Sequence, residues 1–237
     1  MKENETLKIN PLPSKTWYWL HLNDTTVKWN GDVQPCMVMA EEPEQVSEAG
    51  LNIKEMTTGV GAEADAIFED ENLPILQFTA KAEAGDRVIR LDISSEDKEN
   101  AAGTVYIAAE ENARVTVIEK FTSGKKAQSD LAFRTKLYAG KNSTIRLIQI
   151  NMLDEGQRLL NAVGSVCGET AKLDVLQMFV GRGDVYNGIQ TELEGNQSEL
   201  HTEIGYIGQK QQTLDMNLVI NHWGKKTNCD IQVDGTL

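Results

Sequence analysis

The chain has 237 residues, with 23 Lys and Arg against 36 Asp and Glu, giving a formal charge of −13. That balance argues against a nucleic-acid or anionic-membrane surface, which needs a basic stripe. At 40% hydrophobic it can bury a sizeable core, yet no run approaches the ~18 apolar residues of a spanning helix.

The N-terminus, Met1-Lys-Glu-Asn-Glu-Thr, is polar and has no apolar signal-peptide core behind it. Cys36, Cys167 and Cys229 are odd in number and far apart, with no CxxC pair. No zinc knuckle or ferredoxin-type cluster site is therefore encoded locally. Cys167 and Cys229 read as small buried side chains, and the expected compartment is a reducing cytoplasm.

Residues 1–74 read as an N-terminal segment with short helices. Ser14 or Thr16 can cap one that carries Trp17, Trp19 and Leu20. The Trp cluster, with Trp29, is expected to pack this unit against the first coils of the repeat region downstream. Pro35, Pro43 and the acidic run Glu41 to Glu44 read as loop. Ala62 to Phe68 reads as a second short helix, ended near Pro74.

Residues 75–237 read as the repeat core, and between Val105 and the C-terminus a short pattern recurs five times. Its copies are Gly140-Lys-Asn-Ser143-Thr-Ile145, Gly168-Glu-Thr-Ala171-Lys-Leu173 and Gly195-Asn-Gln-Ser198-Glu-Leu200, with Ala113-Arg-Val115 earlier and Gly224 to Ile231 later. The last copy, aligned on Cys229 and Ile231, carries two extra residues. A period of 27 to 31 residues marks stacked supersecondary units.

Val115, Ile145, Leu173, Leu200 and Ile231 form one apolar column, with Val117, Leu147, Val175, Thr202 and Val233 two residues on. Between them stand Thr116, Arg146, Asp174, His201 and Gln232, so the period is that of a strand. The phase then slips at Ile118, Ile148 and Leu176, which suggests a corner between two short strands. Glycine suits another corner, where positive φ or a tight bend costs it least.

A second strand-like run precedes each later glycine: Leu131–Tyr138, Leu159–Val166, Val185–Leu193 and Leu214–Ile220. The architecture expected is an all-β parallel β-helix, with rungs ~4.8 Å apart. A β-sandwich would space strands at ~8–12 residues without column identity.

Few residues offer chemistry. Arg146, Asp174 and His201 predict an outward surface ladder, mostly solvated charge. His222 and Cys229 flank the Gly224-Lys-Lys loop and could approach as a soft two-ligand metal site; a partner chain would have to complete it. Gly181-Arg-Gly183-Asp184 and Gly59-Val-Gly61 lack the strand–loop–helix setting of a phosphate cradle and read as turns. No catalytic residue is assigned. A β-helix enzyme on acidic polysaccharide would need stacked acids, and Asp174 has no acidic neighbour one rung away.

The opening Leu12-Pro13-x-x-Thr16-Trp17-x-x-Leu20-x-x-Asn23, the glycine-punctuated repeats and the tail His222-x-Gly224-x-x-Thr227-x-Cys229 together resemble SufD, in the SufB/SufD family. Cys229 stands where that family often has serine. The resemblance implies a right-handed parallel β-helix and a non-catalytic scaffold for iron–sulfur cluster assembly. It implies a SufB-like partner and a separate SufC-like ATPase, with the cluster carried transiently by the complex and no cofactor on this chain. It also implies further coils and a C-terminal helical SufC-binding region beyond Leu237. The chain is accordingly read as a C-terminally truncated form whose open edge could pair with a second copy.

Overall fold

The computed structural model describes residues 5–12, 25–29, 32–41, 56–82, 85–209 and 211–237. Strands β1 (Glu5–Lys8), β2 (Thr26–Trp29), β3 (Gln34–Pro35) and β4 (Met37–Glu41) lead to a short helix α1 (Ala62–Asp65), prolonged by a 3-10 turn, Ala66–Glu69. Then come β5 (Ile75–Ala80), β6 (Asp86–Ser94), β7 (Asn100–Ala109), β8 (Arg114–Thr122), β9 (Ser129–Ala139) and β10 (Thr144–Met152). The chain continues through β11 (Gln157–Cys167), β12 (Lys172–Phe179), β13 (Asp184–Leu193), β14 (Glu199–Ile207), β15 (Leu214–His222) and β16 (Asn228–Thr236).

β1 and β2 pair antiparallel with each other, and the even and odd strands from β3 onward separate into two seven-stranded sheets. One runs β16-β14-β12-β10-β8-β6-β4; the other runs β15-β13-β11-β9-β7-β3, with β5 also on β7. All pairs among β5 to β16 are parallel. Each coil thus contributes one strand to each sheet, and the result is a parallel β-solenoid of about 6 turns. The all-β architecture expected from the columns is present.

The register corrects two details. Val115, Ile145, Leu173 and Leu200 do stack, but the next member is Cys229, not Ile231, which instead pairs with Thr202. The last copy therefore carries no insertion: Thr227, not Cys229, follows Ser198 in the small-residue column. An apolar Ile invites alignment with apolar columns, although a half-buried thiol packs there as readily.

The second correction is the phase slip. Strands β8, β10 and β12 run straight through Ile118, Ile148 and Leu176 with burial alternating unbroken. Those three residues face outward and are half-buried; Glu119, Gln149 and Gln177 face into the coil and are fully buried.

The glycine corner has a different cause from the one expected. Gly140, Gly168, Gly195 and Gly224 do not have positive φ; that conformation falls two residues later, at Asn142, Thr170, Gln197 and Lys226, with Asn112 in the first copy. Glycine is required by stacking. A Cβ on Gly140 would meet the Ala109 carbonyl oxygen at 2.7 Å, and one on Gly224 would meet that of Gly195 at 2.2 Å. Successive corners are stitched by Gly140 N–H to Ala109 O (2.8 Å) and Asn142 N–H to Glu169 O (2.8 Å), and so on up the stack. Ala113, Ser143, Ala171 and Ser198 turn into the coil apex with almost no exposure, where only a small side chain fits.

The outer face of the second sheet is covered. Ile9, Val27, Trp29, Val60, Ala64 and Phe68 pack on Ala102, Ala132, Leu160 and Ala162. Gly188 lies under residues 59–60 so closely that a Cβ would come within 2.3 Å of Val60 N. Arg134 pins the helical turn, with Nη1 donating to Glu69 Oε1 (2.7 Å) and its guanidinium 4.9 Å from the Phe68 ring centre. The short helices expected of the N-terminal segment are only partly present. Among its described residues the helix is only Ala62–Glu69, and β1 to β4 are strands. Trp29 packs as expected; the capped helix with Ser14, Thr16, Trp17, Trp19 and Leu20 lies outside the described residues.

Candidate functional site

Inside the apolar coil lies a polar rung system. Glu119, Gln149 and Gln177 stack on β8, β10 and β12; Thr135, Asn161 and Asn187 face them from β9, β11 and β13. All six are at most 1% exposed.

Their hydrogen bonds form a closed network. Gln177 Nε2 donates to Gln149 Oε1 (2.7 Å), and Gln149 Nε2 donates to Glu119 Oε2 (2.7 Å). Thr135 Oγ1 donates to the Glu119 carboxylate at 2.9 Å. Asn161 Nδ2 reaches Gln149 Oε1 (2.7 Å) and Asn187 Oδ1 (2.9 Å), and Asn187 Nδ2 donates to Gln177 Oε1 (2.8 Å). Buried amides without such partners would cost ~1–3 kcal/mol each, so mutual satisfaction is what permits them here.

The network is sealed at both ends. Leu91 stacks beneath Glu119, and Ile204 stacks above Gln177. Phe133 lies beneath Asn161 and makes an edge contact with Phe121 at 5.7 Å. Burial pushes the Glu119 carboxyl up to about 7, against the opposing pull of its bonds from Gln149 and Thr135. The arrangement places one carboxyl among amide and hydroxyl partners, all of them buried.

The residues singled out from sequence lie elsewhere. Arg146 Nη2 meets Asp174 Oδ2 at 3.0 Å on the exposed face of the first sheet, as the ladder required. The next rungs are His201 and Asp230 rather than Gln232. His201 Nε2 lies 2.8 Å from Glu203 Oε1 and its Nδ1 lies 3.2 Å from Asp230 Oδ2. These acids, Glu203 foremost, hold the imidazole pKa above its usual value.

His222 Nδ1 is 2.7 Å from Thr227 Oγ1, across the corner loop. Cys229 stacks on Leu200, half-buried, with its thiol pushed up by burial and by Asp230. Among the described residues no group of three His, Cys, Asp or Glu side chains gathers as a metal site. Burial pushes the thiols of Cys36 and Cys167 up to about 12. Gly181 and Gly183 form a corner whose carbonyls accept from Gln212 Nε2 at 3.1 and 2.6 Å.

Fold and interior together define a parallel β-solenoid with a polar, sealed heart. Residues 92–237 match the family described as SUF system FeS cluster assembly, SufBD core domain. That span is more than half of the chain, and the chain belongs to the SufB/SufD family. No curated protein matches the chain, and no solved structure does. Among the described residues no helix is long and apolar enough to cross a membrane.

Proposed function

We propose that this chain is a non-catalytic scaffold subunit of the Suf iron–sulfur cluster assembly machinery, SufD-like in kind. It pairs with a SufB-like partner in the cytoplasm, in an assembly that includes a SufC-like ATPase. The cluster is cargo of the assembled complex rather than a resident of this chain. The reading rests on one observation above all: the family match from residue 92 onward falls on the stacked coils themselves.

The site chemistry is consistent with that role. A sealed interior offers no substrate pocket, and Asp174 is taken up by Arg146 rather than paired with a second acid. We propose a division at residue 74, with the first part serving as cover and the rest as coil. Self-pairing would run through β16, the end strand of the first sheet, where Ile231 and Val233 are 43% and 48% exposed.

Co-purification of the tagged protein with SufB-like and SufC-like proteins tests the assignment. Recovery of both is expected; recovery of neither overturns it and leaves a structural solenoid. Sedimentation across concentration tests the edge: association is expected, and a monomer throughout contradicts it.

A further inference from the structure

The carboxyl of Glu119 is the single ionisable group of the sealed network. The elements packed around it present Leu91 from β6, Val117 and Phe121 from its own strand, Gln149 from β10, and Phe133 and Thr135 from β9. None of these carries charge. The charged residues nearest along the same strands point the other way. Arg90, Asp92, Lys120 and Arg146 face the outer side of the first sheet, and Arg134 and Lys136 lie under the N-terminal cover.

A buried carboxylate without a cation is costly unless its neighbours can serve both of its forms. These can. The anion accepts from Gln149 Nε2 and Thr135 Oγ1. The acid keeps the Gln149 bond on one oxygen and turns its own O–H onto Thr135 Oγ1, because a hydroxyl donates or accepts by rotation. No side chain has to leave its place, and no ion has to enter.

We infer that Glu119 is a reversible proton site built into the solenoid, taking up one proton inside the closed core and coupling the firmness of the coil stack to pH. It is independent of the assembly role and holds whether or not partners bind. The folded carboxyl titrates at about 7, above the ordinary carboxylate range of the unfolded chain. Between those two values the folded state holds more protons than the unfolded state. Stability contributed here is therefore full at acid pH, falls as pH rises toward about 7, and is level above it.

The experiment compares denaturant unfolding of wild type, Glu119→Gln and Thr135→Val at a series of pH values. Relative to Glu119→Gln, the wild-type unfolding constant should rise roughly tenfold per pH unit between about pH 5 and pH 7 and then level off. Thr135→Val, lacking a hydroxyl for the anion, should level off at a higher pH. Infrared titration of wild type with isotope-labelled glutamate needs no variant: one carboxylic-acid band should persist to near neutral pH. Parallel pH profiles for wild type and Glu119→Gln, or loss of every such band in the ordinary carboxylate range, would overturn the proposal.

Discussion

Gly195 lies so close above Gly168 that a Cβ on Gly195 would sit 2.0 Å from the Gly168 carbonyl carbon. Two residues later Gln197 takes positive φ, at 58°. The corner thus separates two demands that a single glycine is often asked to meet. One residue must lack a side chain for the coils to touch, and another must adopt a left-handed backbone.

Substitutions at these two positions should therefore behave oppositely. Gly195→Ala forces neighbouring coils apart and should cost about 1–3 kcal/mol in denaturant unfolding. Gln197→Gly relieves left-handed strain while loosening the unfolded chain, so it should be neutral or stabilise by at most ~1 kcal/mol. Equal effects at both positions would contradict the stacking argument.

Gln149 is the hub of the polar core, touching Glu119, Asn161 and Gln177. Gln149→Leu leaves a carboxylate and two amides short of partners in a dry interior. A loss of about 3 kcal/mol is expected, and it should be larger above neutral pH, where Glu119 is ionised. A loss independent of pH would separate the two residues.

Arg134 ties the Ala62–Glu69 helical turn to β9 through Glu69, the Phe68 carbonyl and the Phe68 ring. Arg134→Met keeps much of the packing volume but removes the donors. Limited proteolysis should then cut within residues 56–74 sooner than in wild type, while the coils stay protected. Uniform loss of protection along the chain would contradict a local anchoring role.

His201 stands between Glu203 and Asp230 on the exposed face. Both acids favour the imidazolium, so its NMR titration should have a midpoint above that of an ordinary histidine. Its small stabilising contribution is present below the ordinary histidine pKa and fades as pH rises through the raised one. Glu203→Gln should lower the midpoint more than Asp230→Asn; no change in either would place the ring elsewhere.

Columns that recur every 27 to 30 residues make the solenoid legible in the sequence. Val115, Ile145, Leu173 and Leu200 recur at the period of one coil, and the paired runs before each glycine supply the second sheet. The polar core is hidden by the usual rule that polar residues face water. That rule turns Glu119, Gln149 and Gln177 outward and demands a corner to restore the apolar phase. Their own column identity, at 30 and 28 residues apart, is the signal that points inward, and Asn161 and Asn187 repeat it at 26. The spacing Gly-x-x-Thr in Gly224 to Thr227 likewise places Cys229 correctly. The strands of the N-terminal segment leave no such signal, because β1 to β4 are two to five residues long; β1 and β2 are held by packing on the second sheet, while β3 and β4 pair with the coil strands β7 and β6.

Incorporation of radioactive iron into cluster proteins, in cells depleted of this protein and in cells complemented with it, bears on the assembly role most directly. Incorporation should fall on depletion, return with the wild-type gene, and fail to return with a Gly195→Val variant that cannot stack its coils. Incorporation unchanged by depletion would contradict the role assigned to this chain.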